Sequence, residues 1–233
     1  MITGSKMAVV DENAAALGVP RKQLMESSGN AVARVVREVA DPGDSVAVVA
    51  GRGNNGGDAF VAARFLDDFD LAVTLLGRPE AITTNIAREN WTALAAGEYD
   101  CETVRDSSAV DLDDPDVVVD AMLGTGISGE LREPERTAAE AITASDATVV
   151  SVDVPSGFDA ETGTLAETAV AADHVVTFHD AKPGLDDLDA EVTVADIGIP
   201  EAAELFVERG DLLRLDERRA DSHKGENGEG LVI

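Results

Sequence analysis

Three short segments hold the residues best suited to chemistry, and each directly follows an apolar run. The first, GRGNNGGDAF (Gly51 to Phe60), sets four glycines, two asparagines and an aspartate between a β-branched run and a helical one. A glycine loop lets backbone N–H groups approach a ligand, and where it opens a helix the unpaired N–H groups suit phosphate. Gly51, Gly53 and Gly56 satisfy a GxGxxG spacing, a weak match by itself. The dinucleotide fingerprint also wants an acid near the end of the next strand to hold a ribose hydroxyl. Gly77 and Arg78 stand there instead, so an ordinary nicotinamide dehydrogenase is disfavoured. No GK[ST] follows, which excludes a nucleotide-hydrolysing P-loop. The competing reading is a tight strand-to-helix turn in which glycine serves the backbone alone. Four glycines with an Asn-Asn pair weigh towards a ligand.

The second segment, DAMLGTGISGE (120–130), starts with an acid at the tip of an apolar strand and continues through Gly124, Gly126 and Gly129 with the hydroxyls of Thr125 and Ser128. Asp120 is either a capping aspartate or a buried ligand group, and its place after VVV favours the second. The third, VDVPSGFDAETG (152–163), holds Asp153 and Ser156 around a strand-stopping proline. Rigid backbone suits catalysis, although Asp153 would serve equally well as a turn cap. Lys182, in AKPG, is one of only four lysines. It is read either as a contact to substrate phosphate or hydroxyl groups or as an ordinary surface lysine.

Positioning these loops requires a sheet. Strands are predicted at SVAVVA (45–50), LAVTLL (71–76), DVVVDAM (116–122), ATVVSVDV (147–154), HVVTF (174–178) and EVTVADI (191–197). Helical patterns lie in DAFVAARFL, TTNIARENWTALAA and EPERTAAEAITA, and two further helices, KMAVVDENAAALG and PRKQLMESSGNAVARVVREVA, precede the first strand. Continuous apolar strands alternating with helices imply an α/β fold: a Rossmann-like, doubly wound, mostly parallel sheet with helices on both faces in three layers. Ligands bind such sheets beyond the carboxyl ends of the strands, where all three segments lie.

Composition narrows the partners. The 233 residues suit one well-packed domain, and the 46 acidic against 18 basic residues leave a net charge of −28. Acidic clusters are dispersed between apolar segments, as in a solvated coat adapted to high salt. Nucleic acid is not expected as a partner, because its phosphates would be repelled. A single cysteine, Cys101, excludes an internal disulfide framework, and three scattered histidines give no zinc spacing. No apolar stretch approaches a membrane span, so the expectation is a cytoplasmic protein with no membrane partner.

The segments GRGNNGGDAFVAARFL, VVDAMLGTGISGELREP and SVDVPSGFDAETG resemble the three signature segments of the YjeF N-terminal domain, the NAD(P)H-hydrate epimerase family. LMESSGNAVA and VTFHDAKPGL are similar to two further family segments, and the resemblance runs over roughly residues 5–210 in order and spacing. One departure is Ala59, where the family has glycine after NNGGD.

The resemblance implies an epimerase that interconverts the R and S forms of hydrated NADH or NADPH, with a non-catalytic nucleotide-binding scaffold of the same fold as the alternative. It implies that Asn54, Asn55, Gly56, Gly57 and Asp58 bind the damaged dinucleotide, with Gly124, Thr125, Gly126, Ile127, Ser128, Gly129 and Glu130 closing on it and Lys182 nearby. Asn55, Asp120 and Ser156 would hold a potassium ion, and Asp153 would act as acid/base at the reacting ring, through either an iminium ion or ring opening. A homodimer is expected. The ending DSHKGENGEGLVI is similar to the opening of an ADP-dependent hydrate dehydratase domain. This predicts an epimerase domain over 1–210, with linker and the start of a fused dehydratase domain over 211–233.

Overall fold

The computed structural model describes residues 1–126 and 129–215. Ile127, Ser128 and the segment 216–233, with its similarity to a dehydratase start, lie outside the described residues.

Seven strands form one sheet: β1 (Ser45–Ala50), β2 (Asp70–Leu76), β3 (Asp100–Val104), β4 (Val117–Ala121), β5 (Thr148–Val152), β6 (His174–Phe178) and β7 (Glu191–Ala195). Their order is β3-β2-β1-β4-β5-β6-β7 and every pairing is parallel. The predicted doubly wound α/β fold is therefore borne out. The helices are α1 (Gly4–Ala16), α2 (Arg21–Val39), α3 (Asn54–Ala63), α4 (Asn85–Ala96), α5 (Glu135–Ala144) and the short α6 (Ala202–Leu205).

Strand side chains alternate between faces, and the two cores follow that alternation. Val46, Val48 and Ala50 of β1 pack with α1 to α4, while Ala47 and Val49 pack with Ala138, Ala139 and Ile142 of α5. The layers are thus unequal, with α1 to α4 and the short α6 on one face and α5 with loops on the other.

Two elements depart from the sequence reading. β3 was not predicted: its DCETV sequence is short and mostly exposed, and it pairs only with β2 at the sheet edge. α3 begins at Asn54, four residues before the predicted start at Asp58, so the glycine pair lies inside the helix. Close packing overrides the poor helix propensity of Gly56 and Gly57 here.

At the carboxyl-terminal end the packed chain runs past residue 210. Arg209–Arg214 form a 3-10 helix, and the Gly210 N–H donates to Asn13 Oδ1 of α1 at 2.6 Å. Asn13, fully buried, donates in turn to the Ala203 carbonyl and to Asp211 Oδ2.

Candidate active site

The strand order reverses between β1 and β4: the chain runs outwards from β1 to β3 and returns beside β1 as β4. Their carboxyl ends diverge there, and a cleft of about 900 Å³ opens. Its walls come from the first turns of α3 and α4, the 122–126 loop, Asp153, Lys182, and Met7 and Asp11 of α1.

Glycine sets how closely these parts approach. The Gly51 N–H donates to the Ala121 carbonyl at 3.0 Å, and a Cβ on Gly51 would collide with the Met122 carbonyl. A Cβ on Gly56 would collide with the Gly51 carbonyl. Gly29 does the same between helices, since a Cβ there would strike Val61 and the Asp58 carbonyl. These glycines therefore serve close packing within the chain; only Gly53 of the four in the loop faces open space. The start of α3 is also tied to the start of α4, because the Thr84 hydroxyl donates to Asn54 Oδ1 at 2.8 Å. Thr83 donates twice to the Arg52 carbonyl. Two helix N-termini thus open onto one cleft.

Beneath the cleft lies a fully buried acid. Asp120 Oδ1 accepts from the Ser156 hydroxyl at 2.6 Å and the Met122 N–H at 3.3 Å. Its Oδ2 accepts from the Ser156 N–H at 2.8 Å and the Ser151 hydroxyl at 2.9 Å. Burial pushes the Asp120 carboxyl above the usual range, and the hydrogen bonds from Ser156, Met122 and Ser151 oppose it. The Ser156 hydroxyl also accepts from the Leu123 N–H at 3.0 Å, which ties the second loop to the third.

Asp153 projects from the end of β5 with φ of +66°, a left-handed conformation that few side chains adopt. The Thr125 N–H donates to its Oδ2, and the Thr177 hydroxyl to its Oδ1. Lys182 Nζ stands 3.3 Å from Oδ1 as an ion pair. Lys182 is 1% exposed and also donates to the carbonyls of Phe178 and Asp180, which corrects the surface-lysine reading.

The cleft is crowded with acids. Asp58 is nearly buried, and among the described residues no donor lies within hydrogen-bond distance of its carboxylate. Burial, then the charges of Asp153 and Asp11, push its carboxyl well above the usual range. Asp11 is pushed up to about 6, chiefly by burial, against the opposing charges of Arg21, His179 and Lys182. A raised native pKa means that the folded state binds the proton more tightly than the unfolded chain. Stability from this group is therefore lost as pH rises from about 4 to about 6, and the cost is complete above that. Asp11→Asn is expected to melt at a higher temperature than the wild type near neutral pH, the difference closing towards pH ~4. Thermal unfolding followed by circular dichroism at constant ionic strength reads this directly.

Of the residues singled out in the sequence, Asn54, Asn55, Asp58, Gly124, Thr125, Gly126, Asp153 and Lys182 line the cleft. A Cβ on Gly124 would lie within 3.4 Å of both Asn55 and Asp153, so both side chains border that glycine. Gly56 and Gly57 stay behind the wall, with Gly57 against Met25 and Ala87. Asp120 and Ser156 lie below the floor, and Glu130 turns away to accept from the Glu167 N–H. Arg78 does not line the cleft; Arg52 does, with its side chain packed over Gly77 and paired to Glu135 at 3.4 Å. Asp11, Arg21 and Arg52 were not singled out. An acid inside the apolar face of a predicted first helix (AVVDENAA) was the available signal for Asp11.

The chain matches the family of the YjeF-related protein N-terminus over residues 21–184. It is 51% identical to the bifunctional NAD(P)H-hydrate repair enzyme Nnr of Methanothermobacter thermautotrophicus over 97% of this chain and 46% of that protein. It is 40% identical to the NAD(P)H-hydrate epimerase of Cenarchaeum symbiosum, over 87% of this chain and 97% of that protein. The crystal structure of yeast YNL200c shares the fold, with a TM-score of 0.72 at 24% identity over 95% of this chain and 97% of that one. The chain spans about half the length of the bifunctional relatives. With the family's segment covering the cleft from α2 to the loop of Lys182, the chain belongs to the YjeF-related protein N-terminus family.

Proposed function

We propose that this chain is an epimerase that interconverts the R and S forms of hydrated NADH and NADPH in nicotinamide nucleotide repair. The observation that carries this is the match over nearly the whole of a stand-alone relative named for that single activity. The bifunctional relatives imply a further fused domain, and this half is the one that resembles the stand-alone epimerase.

The cleft supports the chemistry. The paired N-termini of α3 and α4 suit the diphosphate of a dinucleotide, and a cleft of this size admits one. The reacting carbon is a hemiaminal beside the ring nitrogen. An acid protonates its hydroxyl, the C–O bond breaks, water leaves, and the nitrogen lone pair forms an iminium ion. Water adding to the opposite face returns the proton and completes the inversion. Asp153, held as an ion pair with Lys182, sits where its carboxylate can stabilise that cation. Asp58 and Asp11 keep their protons to higher pH than ordinary carboxylates, and so are fitted to supply the proton. This division of labour differs from the single acid/base role that the resemblance assigns to Asp153.

The donor set also fits a potassium ion. Asn55 is 8% exposed, and among the described residues its Nδ2 has no hydrogen-bond partner. A half-turn of the amide presents oxygen in its place. Asn55, with Asp120 and Ser156, would then offer oxygen ligands of the kind hard cations prefer. A bound potassium ion would offset negative charge near the diphosphate.

The test mixes the protein with each separated epimer and follows the epimer ratio by chromatography, with potassium or with a large organic cation as the only monovalent salt. Faster equilibration in proportion to protein, reduced about tenfold or more without potassium, is expected. Binding without any change in rate would make the chain a scaffold and overturn the proposal.

A further inference from the structure

We propose that the strip of side chains Leu205, Phe206, Val207, Leu212, Leu213 and Leu215 is a docking face for the second folded unit that full-length relatives carry. All six are between 61% and 87% exposed, on a stretch of eleven residues in a chain of net charge −28. Their combined exposed area is on the order of the ~800 Å² that one partner gives to a standard interface. Six large apolar side chains exposed to this extent within eleven residues mark an interaction site rather than ordinary solvent-facing chain.

The strip also differs from the rest of the chain in charge. Between Leu205 and Leu215 stand two acids and two arginines, so the segment is neutral where the whole chain carries 46 acidic against 18 basic residues. Its acids are engaged in local structure: Glu208 and Asp211 form a reciprocal cap on the 3-10 helix, and Asp211 also accepts from Asn13. Arg209 and Arg214 are 77% and 74% exposed, and each makes only a long ion pair of 3.9 Å, with Glu12 and Asp211; pairs so exposed contribute little.

The backbone beneath the strip is well anchored. Gly210, buried, bonds Asn13 of α1, and the Lys6–Glu204 and His179–Glu204 pairs hold the end of α6. The six side chains are thus exposed on fixed structure, as a preformed face requires.

The occupant follows from what surrounds this chain in its relatives. Bifunctional relatives match it over 97–100% of its length yet are about twice as long. The segment 205–215 is the carboxyl-terminal end of the described residues. A covalently attached unit is held at high effective concentration, so a face of this modest size suffices to fix it. The inference stands whether or not the cleft epimerises hydrated nicotinamide nucleotides.

Hydrogen exchange measured on the 233-residue chain and on the full-length protein tests it. Amides of 205–215 are expected to exchange at least tenfold more slowly in the full-length protein. The double variant Phe206→Asp/Leu213→Asp should abolish that protection and speed proteolysis between the two halves, while leaving the melting temperature of the 233-residue chain unchanged. Equal exchange in both proteins would overturn the proposal. So would protection already present in the 233-residue chain together with a dimer by sedimentation, which would make a second copy the occupant.

Discussion

Asp153→Asn is expected to slow epimerisation by about a thousandfold or more while the protein stays folded and still binds dinucleotide. The substitution keeps shape. Asn tolerates the left-handed φ of +66° that position 153 requires, and its amide oxygen can accept from the Thr125 N–H or the Thr177 hydroxyl as the carboxylate does. What disappears is the negative charge that the proposed iminium ion would face, inside a cleft where charges are screened less than in bulk water. Lys182 loses its ion-pair partner but keeps the Phe178 and Asp180 carbonyls. Stability should therefore fall by less than the ~3–5 kcal/mol that follows when a buried charge is left wholly unpaired. Adding Lys182→Met to Asp153→Asn should recover most of that stability and none of the rate, which separates an electrostatic role in the reaction from a structural one. The measurement is single-turnover interconversion of each epimer, beside binding of the same ligand by calorimetry. A rate within tenfold of the wild type would remove Asp153 from the chemistry.

The parts of this site legible in the sequence were those coded by local pattern. The strands β1, β4 and β5 are largely apolar runs, so their carboxyl ends, and with them Asp120 and Asp153, are placed by the sequence alone. The parallel order followed from their alternation with helices. What was not legible depended on contacts between distant segments. β3 has little apolar character because it lies at the edge, and only its pairing with β2 makes it a strand. Asp11 is twenty or more residues from any loop of the sheet, and it reaches the cleft because α1 packs across it, with Gly4 against Thr125. Lys182 in AKPG reads equally as a substrate contact or a surface lysine, and its burial comes from the turn that folds its ammonium back onto Phe178 and Asp153. Arg52 gave no signal in the sequence, since its place in the cleft depends on its packing over the turn at Gly77.

The glycine loop is the sharpest case, because its composition suggested ligand contact and its structure assigns most of the glycines to the protein itself. Gly51→Ala and Gly56→Ala are each expected to destabilise the fold by ~3 kcal/mol or more, with much of the protein insoluble at moderate temperature. In each case the new methyl meets a carbonyl oxygen of fixed backbone, Met122 for position 51 and Gly51 for position 56. A flexible side chain could swing aside, but these carbonyls belong to the strand ends that define the cleft. Relief would require β1, β4 and α3 to separate. Gly53→Ala is the control. Its backbone, with φ of −93°, is accessible to any residue, and a methyl there meets nothing within 4 Å. It should cost no more than ~1 kcal/mol, the scale of an altered helix cap. Because position 53 faces the cleft, Gly53→Ala should instead weaken dinucleotide binding by crowding the N-terminus of α3. Urea unfolding of the three variants, with ligand affinity measured for the one that remains fully folded, distinguishes the two uses of glycine. If Gly51→Ala and Gly56→Ala were as stable as Gly53→Ala, the close approach of the loop to β4 would not be what sets the geometry of the cleft.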